Sequence, residues 1–151
     1  MKQHAQWMLF KTEQRGARLE KLPLHPQTLQ VVDAHDPANW TDYEGARLAA
    51  ATHGLGLAFV FTESDPFFFV DVDNCLDDSG QWSPRALELI QSFPGAEVEV
   101  SVSGRGLHIF GVGTVDPTYK VKASDGSFDL FTAHRFVAYT GNGTGDPCAW
   151  P

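Results

Sequence analysis

Residues 67–73 read Phe-Phe-Phe-Val-Asp-Val-Asp, and no other stretch constrains the fold as strongly. An apolar run of aromatic and β-branched residues belongs in a buried strand. Side chains alternate along a strand, so Asp71 and Asp73 point to one side and Val70 and Val72 to the other. Two carboxylates at that spacing repel each other by roughly 3 kcal/mol at ~5–6 Å and an effective dielectric of about 20. A core strand that ends in such a pair calls for a compensating charge. A divalent cation supplies it, and hard carboxylate oxygens suit magnesium or manganese. The plainer reading is two acids in a solvated loop after the strand.

At 151 residues the chain is expected to form one domain, residues 1–151, with one sizeable core. Hydrophobic residues at 42% and charged residues at 20% are values of a globular protein. No segment approaches ~18 continuous apolar residues, so no membrane span is expected. The opening residues Met-Lys-Gln-His-Ala-Gln-Trp lack an apolar signal core, so a cytoplasmic protein is expected. Cys75 and Cys148 then read as free thiols. The net charge of −8 argues against a passive, charge-driven nucleic-acid binder. It is compatible with an enzyme whose acids hold metal ions.

In chain order, residues 5–11 read as a first strand and 12–38 as irregular, broken by Pro23, Pro26 and Pro37. Lys21 falls in that loop. Thr41-Asp-Tyr-Glu44 matches a capping box for a helix through Ala46, Leu48, Ala49 and Ala50, stopped by Gly54. A strand at 57–61, a turn at 63–66 and the acidic strand suggest a hairpin. Ser83-Pro84 starts a second helix with Leu87, Leu89 and Ile90 on its apolar face, ended by Pro94-Gly95. Residues 97–103 alternate strictly, with Val98, Val100 and Val102 toward the core and Ser101 and Ser103 on the opposite face. A turn at Gly104-Arg-Gly106 leads to a strand at 107–112 that carries His108. Strands at 119–122 and 127–131 are joined by an Asp125-Gly126 turn, and 135–139 is the last strand. This order predicts an α+β fold: a two-layer, mostly antiparallel sheet with helices on one face.

Three features share one chemistry. Asp71 and Asp73 are the first. In the second, Ser103-Gly-Arg-Gly-Leu-His108, two glycines free the backbone to approach a ligand, and their N–H groups can form an anion-binding nest. Ser103, Arg105 and His108 can add donors to phosphate oxygens; a simple hairpin turn is the plainer reading. The third is Asp129, an acid inside an apolar strand, costly unless paired or metal-bound. Phe128 and Leu130 lie on the opposite face, so Asp129 can join the first pair. Three acids beside a phosphate cradle suit two-metal nucleotidyl transfer, in which ions ~3.5–4 Å apart stabilise the attacking and leaving oxygens. Positioning and charge neutralisation then do most of the catalysis.

The set Val-Asp-Val-Asp (70–73), Ser-Val-Ser-Gly-Arg-Gly-Leu-His (101–108), Phe-Asp-Leu-Phe (128–131) and His-Arg-Phe-Val-Ala-Tyr-Thr-Gly (134–141) resembles the primase-polymerase domains of the archaeo-eukaryotic primase superfamily. It is most similar to those of phage and plasmid replication proteins. The strand with Trp7, Lys21-Leu-Pro23 and Asp36-Pro-Ala-Asn-Trp40 also fit. The resemblance implies an RRM-like catalytic core and template-directed addition of dNTPs or NTPs to single-stranded DNA or a primer-template. It implies two divalent ions, Mg2+ or Mn2+, with Asp71, Asp73 and Asp129 as catalytic metal ligands. Ser103, Gly104, Arg105, Gly106 and His108 would hold the incoming triphosphate, with Arg135 a further basic residue near the nucleotide. In such proteins a helical domain, and often a helicase, follows, so the chain reads as the N-terminal fragment of a longer replication protein.

Phe69-Val-Asp-Val-Asp-Asn-Cys-Leu76 also resembles the opening signature of haloacid-dehalogenase-like phosphatases, with Asp71 as nucleophile and Asp73 as acid/base. Cys75 stands where that family has Thr, and the part after residue 96 is mostly strands. A third reading is a catalytically inert nucleotide- or single-strand-binding module, with Trp40, Tyr43, Phe110 and Tyr119 stacking bases; as a plainer reading those aromatics are core. A metal-dependent nuclease would use the same acids without needing the triphosphate cradle.

Overall fold

The structure is a computed structural model that describes residues 1–113 and 128–146 and the backbone of Val121–Lys122. The Asp125-Gly126 turn, Tyr119, Cys148 and the outer ends of the strands expected at 119–122 and 127–131 lie outside the described residues. The elements in order are β1 (Trp7–Arg15), β2 (Arg18–Leu24), α1 (Tyr43–His53), β3 (Gly56–Phe61), β4 (Phe67–Val72), α2 (Pro84–Ser92), β5 (Glu97–Val100), β6 (Leu107–Val112), β7 (Val121–Lys122), β8 (Asp129–Phe131) and β9 (Arg135–Tyr139). The fold is α+β. Its strands form two sheets, in the orders β2-β1-β3-β9 and β5-β6-β4-β8-β7. The chain divides into two compact units, Met1–Phe61 with Phe136–Tyr139, and Thr62–Arg135 with Thr140–Pro151.

In the first unit, β1 runs to Arg15, well past the expected end at residue 11. It turns through Gly16 and Ala17 into β2, pairing Arg15 with Arg18 and Leu9 with Leu24. The segment read as irregular is therefore half hairpin. Gly16, at φ +62°, permits the tight turn. Pro23 is tolerated because β2 is the edge strand of its sheet. Lys21 stands exposed on that strand, not in a loop. The cap of α1 is Asp42, whose carboxylate accepts from the Gly45 N–H at 2.7 Å, rather than Thr41. Thr41 is held instead by a two-way backbone bridge to Trp7. Gly54, left-handed at φ +64°, ends the helix as its sequence position predicts. Trp7 is fully buried among the rings of Tyr43, Phe59 and Tyr139.

In the second unit, β4 is the central strand, flanked antiparallel by β6 and β8. The expected hairpin between residues 57–61 and 67–73 does not form. β3 pairs with β1 in the other sheet, because a strand with buried residues on both faces finds partners by packing rather than by sequence proximity. One face of the β4 sheet is dry. Phe68, Val70, Val72, Leu107 and Ile109 pack there with Ala86 and Leu89 of α2, and Phe128, Val98 and Leu130 join them. Ser83 caps α2 through the Ala86 N–H at 3.2 Å. Leu87, expected on the apolar face, is 44% exposed, and the small Ala86 takes the buried position.

The alternation of β5 holds, but the acids are buried with the valines only half so. Val98 meets the dry core, whereas Val100 and Val102 are exposed and Glu97 and Glu99 are buried. Hydrophobicity alone misassigns such a strand, since a buried carboxylate is admissible once every lone pair has a donor. Ser101 and Ser103 lie beyond β5, in the turn.

Candidate functional site

β4 ends at Val72, so Asp71 is its last outward acid and Asp73 lies in the turn that follows. The antiparallel register sets Asp71 opposite His108 of β6 and opposite Asp129 of β8. Glu99 of β5 is opposite His108 in turn, and Lys122 of β7 is the register partner of Asp129. Residues directly opposite share a face. Glu99, His108, Asp71 and Asp129 therefore form one polar row across four strands, on the face away from α2. Beneath the row, Phe69 meets Phe110 at 5.2 Å and the His108 ring at 5.0 Å, with Phe131 stacked at 6.2 Å. These rings bury one side of the row.

Burial falls along the row. Glu99 is 2% exposed and His108 3%, while the Asp71 side chain is 35% exposed and Asp129 is half-buried. His108 Nδ1 lies 3.0 Å from Glu99 Oε1, and Nε2 lies 3.8 Å from Asp71 Oδ1. The first is a hydrogen bond; the second is a charge neighbour beyond hydrogen-bonding distance. Asp71 and Asp129 are like charges at directly opposite positions, which is destabilising without a counter-ion. Their hard oxygens suit magnesium or manganese. Among the described residues, no group of three or more His, Cys, Asp or Glu side chains is drawn together to hold a metal ion. Asp73 is exposed in the turn that follows β4.

The glycine turn is anchored at the end of β4. The carbonyl of Arg105 accepts from the N–H groups of Cys75 and Leu76 at 2.9 and 3.0 Å. Gly106 is needed for close approach: a Cβ there would meet Ser101 Oγ at 2.7 Å and the Val72 carbonyl at 3.0 Å. Gly104 is left-handed at φ +76°. The backbone donors of the turn are engaged within it. Gly104 N donates to Ser101 O at 2.8 Å, Gly106 N to Ser101 Oγ at 3.1 Å and Arg105 N to Ser103 Oγ at 3.3 Å. An anion would compete with two seryl oxygens for the last two, which are long. The Arg105 guanidinium meets Asp78 at 3.2 Å in solvent. Arg135 lies over the Phe131 ring at 4.0 Å.

Of the aromatics considered for base stacking, Phe110 is fully buried and Tyr43 packs on Trp7. Trp40 donates its Nε1–H to the Ala34 carbonyl at 2.8 Å. These are core contacts. Cys75 is a buried free thiol, pushed up from its ordinary pKa chiefly by burial, and so is held neutral.

Glu99 is the residue that sequence reasoning passed over. One signal for it was available. A hairpin turning on residues 101–106 pairs 100 with 107 and hence puts 99 opposite 108.

No family model matches the chain. It is 34% identical over 150 aligned residues to a protein of Nitratiruptor phage NrS-1 named DNA Primase-polymerase. The alignment covers 93% of this chain and 20% of that protein, so the chain spans about a fifth of its relative's length. The chain is thus related to one part of a phage primase-polymerase. No helix among the described residues is long and apolar enough to cross a membrane.

Proposed function

We propose that this chain is a catalytic primase-polymerase domain that adds nucleotides to a DNA strand on a template, in the cytoplasm, as part of phage or plasmid replication. The observation that carries the reading is the polar row: Asp71 and Asp129 opposite one another, with His108 beside them, at the end of β4 where the glycine turn docks. Similarity to a protein named as a primase-polymerase supports the same reading.

In this reading Asp71 and Asp129, joined by Asp73 from its turn, hold two divalent cations. When bound, these would neutralise charge on the triphosphate and polarise the attacking and leaving oxygens. Asp71 and Asp129 sit on a rigid central strand pair, which keeps their oxygens fixed without reorganisation. His108 presents Nε2 toward the same side as a point of attachment for a phosphate oxygen. Ser103, Arg105 and the Gly104 and Gly106 turn complete the cradle, their long internal bonds yielding to the stronger charged acceptor. Arg135 adds positive charge at the Phe131 end. The incoming dNTP or NTP and a single-stranded or primed template are the substrates, and helical and helicase segments are the expected downstream partners.

The phosphatase reading needs alternating strands and helices, which give parallel sheets. β4 is instead antiparallel to both neighbours. The test is primer extension with manganese or magnesium, alongside Asp71→Ala and Asp129→Ala. Each variant is expected to extend at least about a thousandfold more slowly, the scale of losing a metal-held charge. Manganese with dATP should raise the wild-type melting temperature and leave Asp71→Ala unmoved. Binding without extension would favour the inert module. Neither binding nor extension would overturn both readings.

A further inference from the structure

The Glu99 carboxylate lies on no path that the proposed reaction uses, yet both of its oxygens are engaged. Its side chain has no exposed surface. Oε2 accepts from Thr140 Oγ1 at 2.7 Å, from Thr140 N at 3.0 Å and from Gly141 N at 3.2 Å. Oε1 accepts from Thr140 N at 3.1 Å and faces His108 Nδ1 at 3.0 Å. Thr140 and Gly141 begin a loop that is itself fastened to β5 by a two-way backbone bridge between Val98 and Thr144, at 2.8 and 2.9 Å. A carboxylate ringed by donors can only accept. The ring nitrogen that meets it must therefore carry the proton.

We infer that Glu99, clamped by Thr140 and Gly141, is a positioning residue that fixes His108 as the Nδ1–H form and aims Nε2 along the row toward Asp71. Which imidazole nitrogen is protonated is set by the hydrogen bond the other one makes. Here the bond at Nδ1 is made to a group with no freedom to move. The His108 ring is also held edge-on against Phe69 and Phe110, so neither rotation nor tautomer is left open. To hold a phosphate oxygen Nε2 must carry a proton as well, and the carboxylate at Nδ1 is the partner such an imidazolium requires; that role rests on the function proposed above, and the assignment of the ring to Glu99 does not.

Glu99→Gln makes a sharp test because the clamp dictates how a carboxamide must lie. Its oxygen is needed by the two N–H groups and the hydroxyl of Thr140 and Gly141. Its NH2 then faces Nδ1, which must become the acceptor, and the proton moves to Nε2. Long-range 1H–15N spectra of the metal-free chain at pH 8, with the ring identified by its loss in His108→Ala, read this directly. The expected result is a proton on Nδ1 in the wild type and on Nε2 in Glu99→Gln. A bare Nδ1 in the wild type overturns the inference whether or not the variant folds, and so does an unchanged ring in a folded Glu99→Gln. Titration with manganese and dATP gives the functional arm. His108→Ala should weaken binding roughly tenfold, the scale of one charged hydrogen bond, and Glu99→Gln should change binding in the wild type but not in the His108→Ala background. An effect of Glu99→Gln that persists in the His108→Ala background would overturn the coupling. If the wild type binds no triphosphate while the Nδ1 proton is present, the nucleotide reading fails and the positioning role stands.

Discussion

In the hairpin of β1 and β2, Glu13, Arg15 and Glu20 stand in solvent, with Arg15 3.6 Å from Glu13 and 3.5 Å from Glu20. In the hairpin of β5 and β6, Glu99 and His108 are buried, and the Glu99 carboxylate accepts from Thr140 and Gly141 and meets His108 Nδ1. Both hairpins turn on glycine and both carry acids on strands. What separates them is desolvation. Exposed pairs are worth little because water already solvates each partner. A buried acid survives only with a full set of donors, so its surroundings are constrained atom by atom. Charge on the first hairpin contributes mainly solubility, and charge on the second defines geometry.

The largest test of this contrast is removal of one acid from each. Glu99→Ala strands His108 Nδ1 and the donors of Thr140 and Gly141, and should cost about 3–5 kcal/mol of unfolding free energy in urea. Glu20→Ala should stay within about 0.5 kcal/mol. Equal losses would break the comparison. The turns come next. Gly106→Ala drives a Cβ against the Val72 carbonyl, a backbone atom that cannot move aside, and should cost about 1–3 kcal/mol. At Gly16 a Cβ meets nothing, and the cost of Gly16→Ala is that of a left-handed alanine alone, about 1 kcal/mol. Gly16→Asn should recover part of it; the same exchange at residue 106 should not.

The smallest effect sharpens the case between these extremes. Asp77 is exposed, yet its carboxylate accepts from the N–H groups of Gln81 and Ser79 and the Ser79 hydroxyl at 2.7–2.9 Å. Those bonds, that from Gln81 first, hold it below the ordinary carboxylate range. A depressed folded value contributes stability above the unfolded value, about 3.9, that is lost as pH falls through the folded one. Melting temperatures measured from pH 5 down to pH 2 should therefore fall less steeply in Asp77→Asn than in the wild type. A parallel pair of curves would assign the acid sensitivity to other carboxylates.

Much of the fold was legible because its signals are local. The apolar run of 67–72, the Ser83-Pro84 helix start, the Gly54 stop and the strand at 135–139 each follow from neighbouring residues. The placing of Phe128 and Leu130 on the dry face followed from alternation alone. The hairpin of β1 and β2 was hidden by Pro23, which reads as a breaker until the strand is known to be an edge. The face of β5 was hidden because valine beside glutamate looks like core beside solvent.

Taken alone, the order of residues determined both helices, most of the strands outside the β1–β2 hairpin, the α+β class and which side of β4 carries its acid, because periodicity and capping act over a few residues. Only the tertiary structure decided that β3 and β4 part into different sheets, and that Glu99, His108, Asp71 and Asp129 come into one row. Strand pairing is chosen by whichever long-range contacts bury the most surface and satisfy the most donors, and no run of neighbouring residues contains that information.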